Sequence, residues 1–293
     1  MLGGGLRGDQ DRQRRRQHPD GYQVQRQHHG KEGDDKTVGK GGNDAYFYAD
    51  DRGHDMVVDS GGTDTLDFSA VTGGVSVRLC SPVEASDSLP SGSDSGNAVT
   101  SASRIENARG SLGNDIIGGC GDNNTLSGGG YEPNSGVGPF PGEGDLLMDV
   151  GGFSLFGIPA SNDVYLGSKE GSATVVDTGG GDDVLDLRGF HSSDAGIYGW
   201  DADGDGTQGS LVVAYGNGEV SYGMMLLANQ FEGDDFDFFG TRTGIDGRIE
   251  RIKFKNKTVD ATMPGSFEPA SARQSAAIEE KLPDDMAKGS LLP

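Results

Sequence analysis

The sequence predicts an all-β chain, largely without helices, made by repeating short strand-and-turn units. Three observations predict it. Glycine supplies 52 of 293 residues, against an ordinary share of about 7%. It lacks the every-third-residue spacing of collagen, and only 11 residues are proline. Hydrophobic residues make up 33% and aromatics 7%, too few for a large globular core of this length but enough for an elongated array. Finally, glycine and aspartate recur at a constant step, which marks an internal repeat.

The repeat begins at Gly30. Gly30 to Val38 reads GKEGDDKTV and Gly39 to Phe47 reads GKGGNDAYF. After Tyr48 and Ala49, Asp50 to Val58 reads DDRGHDMVV and Asp59 to Asp67 reads DSGGTDTLD. The fourth position is Gly33, Gly42, Gly53 and Gly62; Gly39, Gly41 and Gly61 add further bends. The sixth position is Asp35, Asp44, Asp55 and Asp64, and the eighth is Thr37, Tyr46, Val57 and Leu66. Glycine allows the positive φ and tight turns that aim backbone carbonyls at one point. The sixth-position Asp adds a carboxylate, and calcium takes roughly six to eight such oxygens. The residues after each Asp form a short strand whose eighth-position side chain points inward.

This pattern resembles the GGxGxDxUx nonapeptide of RTX (hemolysin-type) calcium-binding proteins. The resemblance implies a parallel β-roll, a β-solenoid with two nonapeptides per turn, and calcium held in the turns. Aspartates on one edge then lie 18 residues apart, or 20 across the insertion, which pairs Asp35 with Asp55 and Asp44 with Asp64. An even-numbered insertion keeps inward and outward faces in phase.

A second block, GSLGNDIIG from Gly110 and GCGDNNTLS from Gly119, places Gly113 and Asp115 at the fourth and sixth positions, while Asn124 replaces the next Asp. A third, degraded block holds Asp163, Gly181 and Asp183, with Thr174 where another Asp is expected. The alternative role for these weaker units is a roll turn capped by Asp without metal. Between the first two blocks, Val75 to Leu79 alternates as a strand, and Ser86 to Asn97 reads as a loop. SRIENARGSLGND, from Ser103, and TDTLDFSAV, from Thr63, resemble strand-to-roll joints of RTX proteins and the C-terminal roll of serralysin-type proteases.

Further on, Asp201, Asp203 and Asp205 stand in a D-x-D-x-D-G run, the opening of a calcium loop, although the twelfth position is Val212. The competing reading is an Asp/Gly-rich β-turn. Leu211 to Phe231 is expected to form a hairpin around Gly-Asn-Gly. GRIERIKFKNKTVD, from Gly247, resembles the terminal element that follows hemolysin-type repeats. The expected organisation is a basic, unstructured segment at 1–29, the roll with its insertion at 30–130, and degenerate repeats at 131–200. A β-rich hemolysin-related part follows at 201–260. A tail occupies 261–293, with a short helix from Ala270 to Leu282.

Charge narrows the function. The net charge is −22, and beyond residue 29 there are 18 basic against 43 acidic residues. That opposes nucleic acid and anionic membranes as partners. The longest apolar run, Met224 to Ala228, is far short of the roughly 20 residues that span a bilayer. Cys80 and Cys120 allow at most one disulfide. The five histidines form no H-E-x-x-H, and no G-x-S-x-G or P-loop occurs. The expectation is therefore a secreted, extracellular, non-catalytic calcium-binding protein, or the C-terminal part of a larger exoprotein. The resemblance also implies Ca2+ as cofactor and export by a type I secretion machinery that reads the C-terminal tail. The alternatives are a calcium-dependent exoenzyme (protease, lipase or polysaccharide-modifying) with its catalytic part elsewhere, and a surface adhesin.

Overall fold

A computed structural model describes residues 26–30, 32–87, 97–120, 122–129, 145–149, 161–167, 171–177, 181–200, 209–216, 221–228, 230–231, 249–262 and 268–269. The chain coils, and each coil lays one short strand in each of two facing sheets. The first coils use β1 (Gln27–His29), β2 (Lys36–Lys40), β3 (Ala45–Ala49), β4 (His54–Asp59) and β5 (Thr65–Ala70). An excursion follows as β6 (Val75–Arg78), β7 (Val83–Asp87) and β8 (Ala98–Ser101). Coiling resumes through β9 (Asn107–Arg109), β10 (Ile116–Gly119), β11 (Thr125–Ser127), β12 (Asp145–Asp149), β13 (Val164–Leu166), β14 (Gly171–Asp177) and β15 (Val184–Leu187). The end is formed by β16 (Ala195–Trp200), β17 (Ser210–Gly216), β18 (Ser221–Leu227), β19 (Arg251–Phe254), β20 (Thr258–Asp260) and β21 (Glu268–Pro269). The described residues contain one 3-10 turn, Ser192–Asp194, and no α-helix.

One sheet runs β1-β3-β5-β9-β11-β13-β15-β19-β20 and is parallel as far as β19. The other runs β2-β4-β8-β7-β6-β10-β12-β14-β18-β17-β16-β21. The parallel roll expected from the nonapeptides is what forms. Tyr46 stands beside Leu66 and Thr37 beside Val57, each one 20-residue coil apart. The 20-residue coil also returns at Tyr165 beside Leu185.

Period-two alternation drives the packing. Eighth-position side chains Tyr46, Val57, Leu66, Ile117 and Leu126 are all buried, with Tyr165 and Leu185 continuing the column. At fourth positions, Gly33, Gly42, Gly53 and Gly62 all take positive φ, between 70° and 153°. There, an L side chain would be strained. A Cβ at Gly62 would also lie 1.8 Å from the carbonyl oxygen of Gly42 in the coil before.

Three elements refine the sequence reading. Among the described residues the roll begins one strand before Gly30, at β1, whose residues fall in the 1–29 segment expected to lack structure. Its Gln-His-His sequence carries no β-branched signal, and the strand forms because His28 stacks on Tyr46 and His29 on Phe47, both at 5.1 Å. The insertion is an antiparallel excursion, with β7 pairing both β6 and β8, so Ser86 and Asp87 belong to a strand; 88–96 lie outside the described residues. The hairpin expected over Leu211 to Phe231 forms from β17 and β18, with its turn at 217–220 also outside. A disulfide joins Cys80 to Cys120, tying neighbouring coils after β6 and β10.

Candidate metal centres

Coiling makes two edges. Turns from the second sheet back to the first (40–44, 59–64, and 177 with 181–183) line one edge, and turns in the other direction (32–35, 49–54, 110–115) line the opposite edge. On the first edge, the sixth-position side chains form a ladder. The N–H of Arg26 donates to Asp44 Oδ1 (2.8 Å), that of Asp44 to Asp64 Oδ1 (2.8 Å), and that of Asp64 to Glu106 Oε2 (2.8 Å). The ladder is repeated farther along. Asn124 N–H donates to Asp163 Oδ1 (2.6 Å), Asp163 to Asp183 Oδ1 (2.7 Å), and Asp183 to Glu250 Oε2 (2.7 Å).

A third carboxylate joins each ladder from the opposite sheet. Asp59, ending β4, meets Asp44 and Asp64; Asp177, ending β14, meets Asp163 and Asp183. In each trio, one ligand oxygen per residue lies within 4.8 Å of the others, and all six aspartates are buried. A tyrosine holds each incoming carboxylate. Tyr46 Oη donates to Asp59 Oδ2, and Tyr165 Oη donates to Asp177 Oδ2 at 3.0 Å. Gly61 N–H donates to Asp59 Oδ1 (2.7 Å), and Ser161 Oγ to Asp163 Oδ2 (2.9 Å).

The two trios are one design used twice. Asn43-Asp44-Ala45-Tyr46 matches Asn162-Asp163-Val164-Tyr165. Val57-Val58-Asp59-Ser60-Gly61-Gly62 matches Val175-Val176-Asp177-Thr178-Gly179-Gly180. Asp64-x-Leu66-Asp67 matches Asp183-x-Leu185-Asp186, and Arg104-Ile105-Glu106 matches Arg248-Ile249-Glu250. These shared strings would have exposed Asp59, Asp177, Tyr46, Tyr165, Glu106 and Glu250, none of which follows from the sixth-position rule alone. Thr174 lies within β14, away from the edge, and Asp177 brings the carboxylate three residues later.

Asp64 Oδ2 is fully buried and has no hydrogen-bond partner among the described residues. Burial, with Asp59, Glu106 and Asp44 nearby, pushes the Asp64 carboxyl up to about 6, although the Asp44 N–H opposes this. Three hard oxygens converging on a site with an orphaned carboxylate oxygen fit a calcium ion. Gly39 leaves room for them: a Cβ there would stand 2.0 Å from both Asp59 Oδ2 and Tyr46 Oη, and 3.0 Å from Asp44 Oδ2.

The second edge differs. Asp35 N–H donates to Asp55 Oδ1 (2.9 Å), as the expected pairing requires, but Asp35 is exposed. Among the described residues no third carboxylate joins them. Instead, the buried guanidinium of Arg52 packs over Phe68 (5.4 Å) and pairs with Asp87. Burial raises the Asp55 carboxyl, and Arg52 partly offsets that. Asp115 accepts from Val75 N–H (2.7 Å), Ser111 N–H (2.7 Å) and Ser111 Oγ (2.6 Å), which satisfies both of its oxygens. Gly113 packs against Gly74, where a Cβ would lie 2.4 Å from the Gly74 nitrogen, and Gly181 packs against the Ser161 carbonyl. Gly41 faces the Gly61 carbonyl of the next coil. Asp201, Asp203 and Asp205 lie outside the described residues, as does the helix expected from Ala270.

In comparison with known proteins, no family model matches the chain and no curated protein sequence matches it. Among the described residues, no helix is long and apolar enough to cross a membrane.

Proposed function

We propose that this chain is a calcium-binding, non-catalytic β-roll protein of the RTX type that folds outside the cell when calcium enters its turns. The observation that carries the reading is the duplicated trio of buried aspartates, Asp44/Asp59/Asp64 and Asp163/Asp177/Asp183, each with a tyrosine on the carboxylate from the opposite sheet. Three carboxylates in so small a space repel one another unless a cation sits among them. Calcium supplies that charge, and Asp44, Asp59, Asp64 and their counterparts would hold it, with turn carbonyls completing the shell.

Calcium then acts as a folding ligand. An ion at about 100 times its dissociation constant adds roughly 2.7 kcal/mol per site. Extracellular calcium modules bind at around 0.1–1 mM. A chain tuned to that range stays loose in a low-calcium cytoplasm, which suits threading through a type I exporter, and folds outside. The Cys80–Cys120 disulfide supports an oxidising compartment.

The test is a calcium titration of the full chain by circular dichroism and calorimetry. The expected result is a gain of β signal and a calcium-dependent rise in the thermal midpoint. Superimposable spectra and melts in chelator and in millimolar calcium would overturn the reading.

A further inference from the structure

The two carboxylate ladders meet at one side chain. The first ends on Glu106, whose Oε2 accepts from Asp64 N–H at 2.8 Å. The second starts at Asn124, whose N–H donates to Asp163 Oδ1 at 2.6 Å. Asn124 Nδ2 donates to the Glu106 carbonyl at 2.6 Å and closes the gap between them. A continuous run of hydrogen bonds therefore passes from Asp44 through Asp64, Glu106, Asn124 and Asp163 to Asp183. Asn124 stands at a sixth position where the repeat calls for Asp, and it is buried. A carboxylate there would have no N–H to give the Glu106 carbonyl, so the amide makes this residue a joint.

Cys120 holds the amide in that orientation, its N–H donating to Asn124 Oδ1 at 2.8 Å. Cys120 is one half of the disulfide to Cys80, 40 residues away in the chain. The strands that lead into the bond stay paired up to it, with Leu79 N–H on the Gly118 carbonyl at 2.9 Å. Both cysteines are half-buried, within reach of a small reductant.

We propose that the Cys80–Cys120 disulfide sets calcium affinity at the two trios through Asn124, so that the oxidised chain binds calcium tightly and the reduced chain weakly. This rests on the calcium reading above. A dithiol reductant passes two electrons and two protons to the protein. The Sγ–Sγ bond breaks to two thiols, and the dithiol closes to its own disulfide. Released from Cys80, Cys120 no longer fixes Asn124, and the amide that joins Glu106 to Asp163 loses its place. Carboxylates already held in position cost less to organise around an ion than carboxylates ordered as it binds. Linkage makes the effect reciprocal, so calcium must protect the disulfide from reduction by at least the same factor.

The experiment measures calcium isotherms of the full chain, oxidised and reduced by dithiothreitol. Reduction should weaken calcium binding at least about fivefold. In a dithiol/disulfide redox buffer, millimolar calcium should shift the equilibrium toward the protein disulfide by no less than that factor, relative to chelator. Oxidised Asn124→Ala should bind as weakly as the reduced wild type, and its reduction should weaken it no further. Equal affinities of the two wild-type redox states overturn the proposal and leave the calcium reading standing. A redox gap that persists undiminished in Asn124→Ala overturns it as well, since the disulfide then braces the fold without acting through the joint. Should Asn124→Ala fail to fold, the Cys80→Ser/Cys120→Ser double variant decides: binding as weak as the reduced wild type supports the proposal, and binding as tight as the oxidised form overturns it. Absence of calcium binding in both redox states overturns the calcium reading, and this inference with it.

Discussion

The backbone N–H of Asp44 donates to the carboxylate of Asp64 one coil later, at 2.8 Å. That bond has two consequences. One oxygen of Asp64 stitches consecutive coils, while the other, Oδ2, is buried beside Asp59 and Asp44 with no hydrogen-bond partner among the described residues. The same residue is therefore structural through one oxygen and, in the proposed calcium reading, faces the ion through the other.

Substituting Asp64 separates those roles. Asp64→Asn keeps an acceptor for the Asp44 N–H and removes the charge, so in chelator at neutral pH it should be more stable than wild type. In millimolar calcium it should lose the increment from one ion, about 2.7 kcal/mol at saturation near 100 times the dissociation constant. Asp64→Ala leaves the Asp44 N–H without its partner and should cost about 1–3 kcal/mol in either condition. Urea melts with and without calcium check both. An asparagine variant equally destabilised in both solutions would contradict the assignment.

Gly39 should tolerate no side chain. A Cβ there would stand 2.0 Å from the Asp59 carboxylate and from the Tyr46 hydroxyl, so Gly39→Ala must push apart the trio and its tyrosine. Overpacking of this kind costs about 1–3 kcal/mol, and calcium binding at the first trio should weaken with it. Gly73→Ala, where nothing lies within 4 Å, is the matched control and should be near neutral. Chemical denaturation and calcium isotherms of the two variants provide the comparison.

Asp115 and Asp145 should make the metal-free chain less stable as pH rises. Burial lifts the Asp115 carboxyl to about 6, against hydrogen bonds from Ser111 and Val75 that lower it. Asp145 is raised by burial and then by Asp115 itself, whose N–H donates to it at 3.1 Å. A carboxyl whose folded-state pKa exceeds its unfolded value of 3.8 stabilises the fold fully below 3.8. That contribution is lost as pH climbs through about 6. Thermal melts in chelator from pH 4 to 8 should show a falling contribution that Asp115→Asn reduces. Because donors already satisfy both Asp115 oxygens, this variant should shift stability equally with and without calcium.

Much of the fold was legible because the repeat is local. Glycine at the fourth position, Asp at the sixth and a large residue at the eighth each act within a few residues, through φ, turn geometry and inward alternation. Tyr46, Val57 and Leu66 are therefore buried where the nonapeptides predict. β1 is not legible in one dimension because its His-His pair gains order only by stacking on Tyr46 and Phe47.

The linear sequence by itself determined the coil: its step of 18 residues, or 20 across the insertion, its buried column, and the pairing of Asp35 with Asp55 and of Asp44 with Asp64. Only the tertiary structure decided which carboxylates meet a third partner. Asp59 and Asp177 arrive from the opposite sheet, and whether a strand end reaches the neighbouring turn depends on how the two sheets face each other. The same holds for charge. Arg26 looks like part of a basic leader in one dimension, and only coiling the chain brings its guanidinium to the oxygens of Gly39, Gly41 and Asp44.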